Sequence, residues 1–385
     1  MDYQRRLNRA QENMVTKNIG LMYLTYGPNL WYLAGMPRAD IEFVEFGRHA
    51  DHIWGAYIGI DGQVVLVAGG VRGSVFKRQS SKMPWVKMVR SIDDSENPDD
   101  VLAEIIGLFD PKDKGIVVDD RARAETVVAL KRVLPHNLIT TASDITAPLR
   151  VIKDQDEIAT MTEAGRIADE VCAEALKFLE VGITEFDLAH HIYYQLGKRK
   201  VAYPAFSTAV IFSSPDRRRT QGNKVSTNDV KLQVGDSVSF DFGACFNGYC
   251  SNLGRTAFIG NPPPRYREAY DFMMHTHSAN LAGLATGRVT AVQSESKAGR
   301  TAEGVIRDDD YVLSCFVHGI GVDHHELPFP DRDVESLLMP GMLLAVETSI
   351  TDRAGYVCQL SDVVLVKEKG IEPLTNFHKN LSIID

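Results

Sequence analysis

The pair Asn247-Gly248, set between the strand-like stretches Ser237–Phe246 and Tyr249–Ile259, constrains this chain more than any other feature. Asn-Gly between strand formers is the strongest local signal for a two-residue hairpin turn with both central residues at positive φ. That turn fixes a register: Phe246 opposite Tyr249, Cys245 opposite Cys250, Gly243 opposite Asn252 and Asp241 opposite Gly254. Side chains alternate faces along a strand, so Asp241, Gly243, Asn252 and Gly254 share one. Asp241 and Asn252 are then diagonal neighbours, roughly 7–8 Å apart at the backbone, within joint reach of one or two ions.

A second informative stretch is His318-Gly319-Ile320-Gly321, leading to His325. With Asp241 and the hairpin it resembles the creatinase/prolidase family, the pita-bread hydrolases that include methionine aminopeptidase, Xaa-Pro aminopeptidase, prolidase and creatinase. The resemblance is strongest from about Arg150 to Val366. In the metallopeptidase members, an Asp, a second Asp, the His of the His-Gly-Ile-Gly run, a Glu and a final Glu hold two ions. Carried over residue by residue, these fall on Asp241, Asn252, His318, Glu347 and Ser361. The second and last of those positions supply the bridging carboxylates, and neutral Asn252 and Ser361 cannot bridge two cations. Asp362 is no substitute for Ser361, because alternation sends it to the opposite face. Gln359 shares the face of Ser361 but is also neutral.

A paired-ion centre is therefore not expected. If a single ion is present, Asp241, His318 and Glu347 would hold it, since two carboxylates and an imidazole suit several divalent metals. The expectation for cofactors is none, and the resemblance then points to the metal-independent branch around creatinase. Ala164-Gly165-Arg166-Ile167-Ala168-Asp169 resembles the start of creatinase's catalytic-domain helix, and Phe46-Gly47-Arg48 resembles a run whose Arg grips the substrate carboxylate there. Arg332 lies near a second carboxylate-binding Arg of that enzyme. Two departures stand against creatine as substrate. Gln221–Ser226 lacks the upstream His that creatinase uses, and Gly254 stands where creatinase has a Glu.

The remaining groups support acid/base chemistry at a carbon-nitrogen bond. His318 and His325, seven residues apart on a strand-loop path, can bring two imidazoles to one pocket, and imidazole is the natural proton carrier near neutral pH. Glu347 could hold a substrate cation, take a proton or attack as a nucleophile. Asp241 could orient a histidine or activate water. Structural alternatives stay open: Asp241 pairing with Arg255, His318 as a satisfied core histidine, Arg48 in a salt bridge. His324 is set aside, because neighbours in a strand face opposite ways and His325 matches the family position. Tyr203-Pro204-Ala205-Phe206 and Leu327-Pro328-Phe329-Pro330 either line the pocket or form turns. The expected catalytic set is His318, His325, Glu347 and Asp241, with Phe46, Arg48, Arg332, Asn252 and Ser361 toward substrate.

The expected activity is metal-independent hydrolysis of a small carboxylated amide, amidine or cyclic amidine. The alternatives are a metal-dependent Xaa-Pro dipeptidase or aminopeptidase with a reduced site, a lyase, and a non-catalytic binding protein of the same fold.

A length of 385 residues with 44% hydrophobic content suffices for two domains with cores. A net charge of -9 argues against general nucleic-acid binding or an anionic membrane surface. No apolar run reaches the length of a membrane span, and Met1–Asn18 is polar rather than signal-like. Cytoplasm is the expectation that follows, with the cysteines as thiols, and the family resemblance implies a small-molecule substrate and a homodimer. Alternating helix and strand signals over 1–150 predict an α/β domain for gating and dimer contacts. Over 151–385, helix pairs ahead of strands predict an α+β pita-bread catalytic domain, with helices at Tyr266–Ala285 and Thr290–Ile306.

Overall fold

The computed structural model describes residues 1–36, 47–216, 230–285, 305–307, 311–328 and 337–385. The chain divides into two compact units, Met1–Leu149 and Arg150–Asp385.

The first unit is an α/β layer. Its elements run α1 (Tyr3–Thr16), β1 (Ile19–Leu24), α2 (Pro28–Ala34), β2 (Gly55–Gly59), β3 (Val64–Gly69), α3 (Gly70–Ser80), β4 (Val86–Ile92), α4 (Pro98–Gly107), β5 (Gly115–Val118), α5 (Ala124–Val133), β6 (Ile139–Thr141) and α6 (Ser143–Val151), the last crossing into the second unit. The six strands form a mixed sheet in the order β4-β3-β2-β1-β5-β6. Every residue of β1, β2 and β3 is buried, as near-continuous apolar runs covered on both faces should be. The sequence pattern missed α2 for a physical reason. All seven of its residues are buried, so it has no polar face to produce a helical period.

The second unit opens with two helices, α7 (Gln155–Lys177) and α8 (Glu185–Lys198), each started by a reciprocal capping box: Asp154 with Glu157, and Thr184 with Asp187. Then follow β7 (Tyr203–Pro204), β8 (Ala209–Ser213), β9 (Ser237–Phe242), β10 (Ala244–Phe246), β11 (Tyr249–Cys250), β12 (Leu253–Ile259), α9 (Pro264–Leu284), β13 (Val305–Arg307), β14 (Tyr311–Gly319), β15 (Leu343–Asp352), β16 (Val357–Val366), β17 (Ile371–Pro373) and β18 (Ser382–Ile384). The main sheet runs β13-β14-β15-β16-β12-β9-β8, with β17 on β16 and β18 on β12.

The hairpin has the expected register. Asn247 and Gly248 take φ of 45° and 82°, Phe246 pairs with Tyr249, and Asp241 pairs with Gly254. The long strand predicted over Ser237–Phe246 breaks at Gly243, and β10 joins a separate three-stranded sheet with β7 and β11. A Cβ at Gly243 would lie 1.9 Å from the Ser251 carbonyl oxygen, so only glycine passes that crossing. Of the helix expected over Thr290–Ile306, residues 290–304 lie outside the described residues, and Val305 and Ile306 belong to β13.

One face of the main sheet is apolar. Val238, Phe240 and Phe242 pack under Ile167 and Val171 of α7 and Leu188 and Ile192 of α8. Farther along, Leu313, Cys315, Ile350 and Leu360 pack with Tyr266, Tyr270 and Met273 of α9. Burying each such Leu, Ile or Phe contributes about 1.5–3 kcal/mol, which fixes which side of each strand faces the helices. The alternate residues of the same strands are left to build a polar face. Among the described residues no helix is long and apolar enough to cross a membrane.

Candidate active site

Strand register alone assembles the polar face. Asp241 pairs with Gly254, Gly254 with Ser361, Ser361 with Glu347, and Glu347 with Phe316. Directly paired residues share a face, so these positions form one row across β9, β12, β16, β15 and β14. Two residues along their strands, Gln359 and His318 join that face, and Asn252 just precedes β12. Gly254 is the gap in the row: a Cβ there would stand 2.6 Å from Ser361 Oγ.

Neutral amides face both carboxylates. Gln359 Nε2 donates to Asp241 Oδ2 at 2.6 Å and to Ser361 Oγ at 3.2 Å. Asn252 Nδ2 donates to Glu347 Oε1 at 2.6 Å and lies 3.1 Å from His324 Nε2. His318 Nε2 stands 3.4 Å from the same Glu347 oxygen. Its other ring nitrogen, Nδ1, lies 2.9 Å from the Gly319 carbonyl oxygen. A carbonyl only accepts, so Nδ1 carries a proton and Nε2 is the ring nitrogen turned to Glu347. The Asn252 amide, having given one hydrogen to Glu347, gives the other to His324 Nε2, which is then a lone-pair nitrogen.

The histidines sit on a loop that is anchored by charge. Arg150 binds Asp323 at 2.5 Å and also Glu326, and Lys153 Nζ lies 3.3 Å from Glu326 Oε2. Glu326 Oε1 further accepts from the Asp323 backbone N–H at 2.9 Å. Burial opposes the charge of Arg150, but Glu326 and Asp323 outweigh it and raise its pKa. Burial wins at Lys153, whose pKa is lowered despite Glu326. The Glu326 N–H donates to Gly319 O at 2.8 Å, closing the loop on the end of β14.

Strand alternation, which would turn His324 away from the site, does not operate in this segment. Residues 321–325 form bends rather than a strand. His324 is half-buried, touches Asn252, and stacks on Phe206 with ring centroids 4.0 Å apart, whereas His325 is exposed with its ring 4.3 Å from that of His318. Asp241, Asn252, His318, Glu347 and Ser361 all lie on the one polar face. Arg255 pairs with Asp362, not with Asp241. Asp362 also binds His277 and lies behind the sheet. Arg48 belongs to the first unit, where its N–H donates to Asp51 Oδ2 at 3.3 Å. Phe46, Arg332, Phe329, Pro330 and the stretch Gln221–Ser226 lie outside the described residues. Sequence reasoning missed Arg150, Lys153 and Glu326 as well as His324. The adjacency of Glu326 to His325 was the one available signal.

The donor set rejects a pair of ions and accepts one. Asn252 and Ser361 are fully buried and neutral at the two positions where bridging anions are needed. A single ion fits the chemistry present, since imidazole and carboxylate donors converge at Glu347 Oε1.

The profile of Metallopeptidase family M24 matches residues 159–368. The Xaa-Pro dipeptidase of Pyrococcus furiosus is 25% identical over 380 residues, covering 98% of this chain and 99% of that protein. The crystal structure of a recombinant prolidase from Thermococcus sibiricus superposes with a TM-score of 0.84 at 23% identity, covering 100% of both chains. A dipeptidase PepE from Mycobacterium ulcerans gives 0.80 at 26% identity, covering 99% and 98%. The fold is thus the expected one, an α/β first domain followed by a pita-bread domain. The expected placement in the metal-independent creatinase-like branch is not supported, because these relatives are prolidases and dipeptidases. The run that suggested it, Ala164–Asp169, has reasons in the fold alone. A Cβ at Gly165 would lie 2.3 Å from the Leu374 carbonyl oxygen, and the Asp169 carboxylate caps the backbone N–H groups of Asn376 and Phe377.

Proposed function

Since this chain belongs to metallopeptidase family M24, we propose that it hydrolyses the carbon-nitrogen bond of a small peptide-like substrate of the Xaa-Pro dipeptide class, with a site that takes at most one divalent ion. The alternative weighed at the outset thus displaces the metal-independent amidine hydrolase. The observation that carries the reading is the approach of His318 Nε2 to Glu347 Oε1 at 3.4 Å, with His318 Nδ1 turned to the Gly319 carbonyl. An imidazole nitrogen and a carboxylate oxygen that close can share a cation, and membership of a metallopeptidase family supports an ion in that place.

A bound divalent ion supplies polarisation of the scissile carbonyl and a water acidic enough to attack it. The chain's own residues do the rest. Glu347 orients and deprotonates the attacking water, and the Gly319 carbonyl holds His318 in the tautomer that faces it. His325, exposed beside His318, gives the leaving nitrogen its proton. The Phe206–His324 stack offers a flat wall against which a proline ring packs. A homodimer in the cytoplasm, with Arg48 and Arg332 binding the substrate carboxylate, completes the proposal.

The test is release of proline from Xaa-Pro dipeptides by the full-length protein with added Zn²⁺, Co²⁺ or Mn²⁺ and with a chelator. Cleavage should require an ion, and Glu347→Gln should lower kcat/KM by roughly 10²–10⁴-fold. Turnover of a carboxylated amidine in chelator, with every dipeptide untouched, would return the protein to the creatinase-like reading.

A further inference from the structure

We propose that His318, His324 and Glu347 hold one divalent ion of the imidazole-preferring class, such as Zn²⁺ or Co²⁺, with His325 alongside, and that Asp241 is not among its ligands. The proposal deepens the single-ion reading above and rests on it. It moves the ion from the ligand set expected by family likeness to one that this chain's own loop provides.

Four observations carry it. Ring nitrogens of His318, His324 and His325 all lie within 4.8 Å of one another. The Glu347 oxygen joins them, 3.4 Å from His318 Nε2 and 3.9 Å from His324 Nε2. Two ligands of a tetrahedral zinc ion with bonds of 2.0–2.1 Å stand roughly 3.4 Å apart, so these atoms need little adjustment to share one ion. The ring orientations also agree, because His318 gives its Nδ1–H to the Gly319 carbonyl and His324 turns Nε2 to the Asn252 amide, so that Nε2 is the atom each ring would offer an ion. A backbone carbonyl behind a ligating imidazole is the usual device for setting its orientation.

The second side of the case is Asn252. Its Nδ2 group already serves as a neutral substitute for a cation, giving its hydrogens to Glu347 and His324 together. Its Oδ1 is buried with no hydrogen-bond partner among the described residues, on a side chain with no exposure. Leaving such an oxygen unsatisfied costs about 1–3 kcal/mol. An ion at this place would take over from the amide the two acceptors it now serves, Glu347 Oε1 and His324 Nε2.

Asp241 stands apart from this group. Its Oδ2 takes the Gln359 amide at 2.6 Å, and β9 and β15 are separated by β12 and β16. Asn252 and Ser361, neutral and fully buried, offer no carboxylate that would join Asp241 to the ion at Glu347. Imidazole-rich donor sets favour Zn²⁺ or Co²⁺ over Mg²⁺ or Mn²⁺, which prefer oxygen.

The experiment uses full-length protein stripped with chelator and dialysed. Zn²⁺ is counted by elemental analysis after gel filtration, and Co²⁺ binding is followed by its visible absorption. Wild type should take one ion per chain. His324→Ala should weaken Co²⁺ binding by roughly 10–100-fold or more and change the absorption band, while Asp241→Asn should bind within about three-fold of wild type. Circular dichroism and the thermal midpoint check that each variant is folded, and His324→Gln gives a second test should the alanine variant fail. Absence of a bound ion in wild type, two ions per chain, or loss of the ion in Asp241→Asn but not in His324→Ala would each overturn the proposal. The dipeptide assay separates the two readings. Proline release with the ion elsewhere sinks this site and spares the function, and an ion at the histidines without any hydrolysis does the reverse.

Discussion

Ser361 and Asp362 are neighbours on β16, yet they face two regions that treat charge in opposite ways. Behind the sheet, the Asp362 carboxylate meets Arg255 at 2.8 Å, His277 at 2.9 Å and Lys379 at 3.1 Å, and accepts the Thr375 hydroxyl at 2.9 Å. In front, Asp241 and Glu347 are met by the amides of Gln359 and Asn252. A buried carboxylate held by the permanent cations Arg255 and Lys379 is finished, and its task is to hold strands together. Arg255 shows how: it also donates to the carbonyls of Gly254 and Ser361, the backbone directly under the site. A carboxylate met by an amide instead of an arginine or lysine keeps its charge available for a cation or a substrate. The same sheet thus separates rigidity from reactivity by one residue of alternation.

The largest expected effect tests the finished side. Asp362→Ala leaves Arg255 buried without its anion and should cost about 3–5 kcal/mol of stability, read as a lower urea midpoint. Burial works to raise the Asp362 pKa, but Arg255 and His277 outweigh it and hold it well below the ordinary carboxylate range. With the folded value depressed, the stabilisation is whole above about pH 4 and is lost as the pH falls through the folded value. The gap between wild type and variant should therefore narrow in acid. A gap that stays constant down to pH 3 would mean the carboxylate acts by shape and not by charge.

A middle-sized effect lies where the two regions meet, at the loop carrying the histidines. Glu326→Gln keeps the side-chain shape but removes the anion between Arg150 and Lys153. About 2–3 kcal/mol should be lost, on the scale of hydrogen bonds to charged groups. Because Glu326 also ties the Asp323 N–H, dipeptide hydrolysis should fall further than stability accounts for. Hydrolysis at wild-type rates in this variant would show that the loop holds its histidines without the charge cluster.

Much of this arrangement is legible in the amino-acid sequence. Asn247-Gly248 dictates a turn that few other dipeptides would form, so the register placing Asp241 opposite Gly254 followed from local chemistry. The alternation that puts Asp362 behind Ser361 was equally local. What escaped was decided by segments without a period. The first unit's α2 is buried throughout and shows no stripe. His324 was read as a strand residue facing away, but the closure of Glu326 N–H on Gly319 O bends that segment and turns the imidazole toward Asn252. Alternation holds only where a ladder enforces it, and between Gly319 and Pro328 buried charge takes over that task. Arg150 and Lys153, far away in sequence, supply it, and no spacing rule links them to Glu326.

The smallest effect sharpens the reactive side. Phe206 holds His324 by a face-to-face stack, 4.0 Å between centroids and 20° between planes, and such a pair is worth about 0.5–1.5 kcal/mol beyond its buried area. Phe206→Leu keeps an apolar wall but loses the flat contact, so the ring of His324 gains freedom that ion binding must then remove. Co²⁺ affinity should drop by no more than about ten-fold, since each 1.4 kcal/mol is a factor of ten, with one ion still bound per chain. The thermal midpoint should barely move. A complete loss of the ion would mean that the aromatic wall, and not the charge-anchored loop, determines where His324 points. An unchanged affinity would mean that Asn252 and Glu347 suffice to orient it, leaving Phe206 to serve the substrate alone.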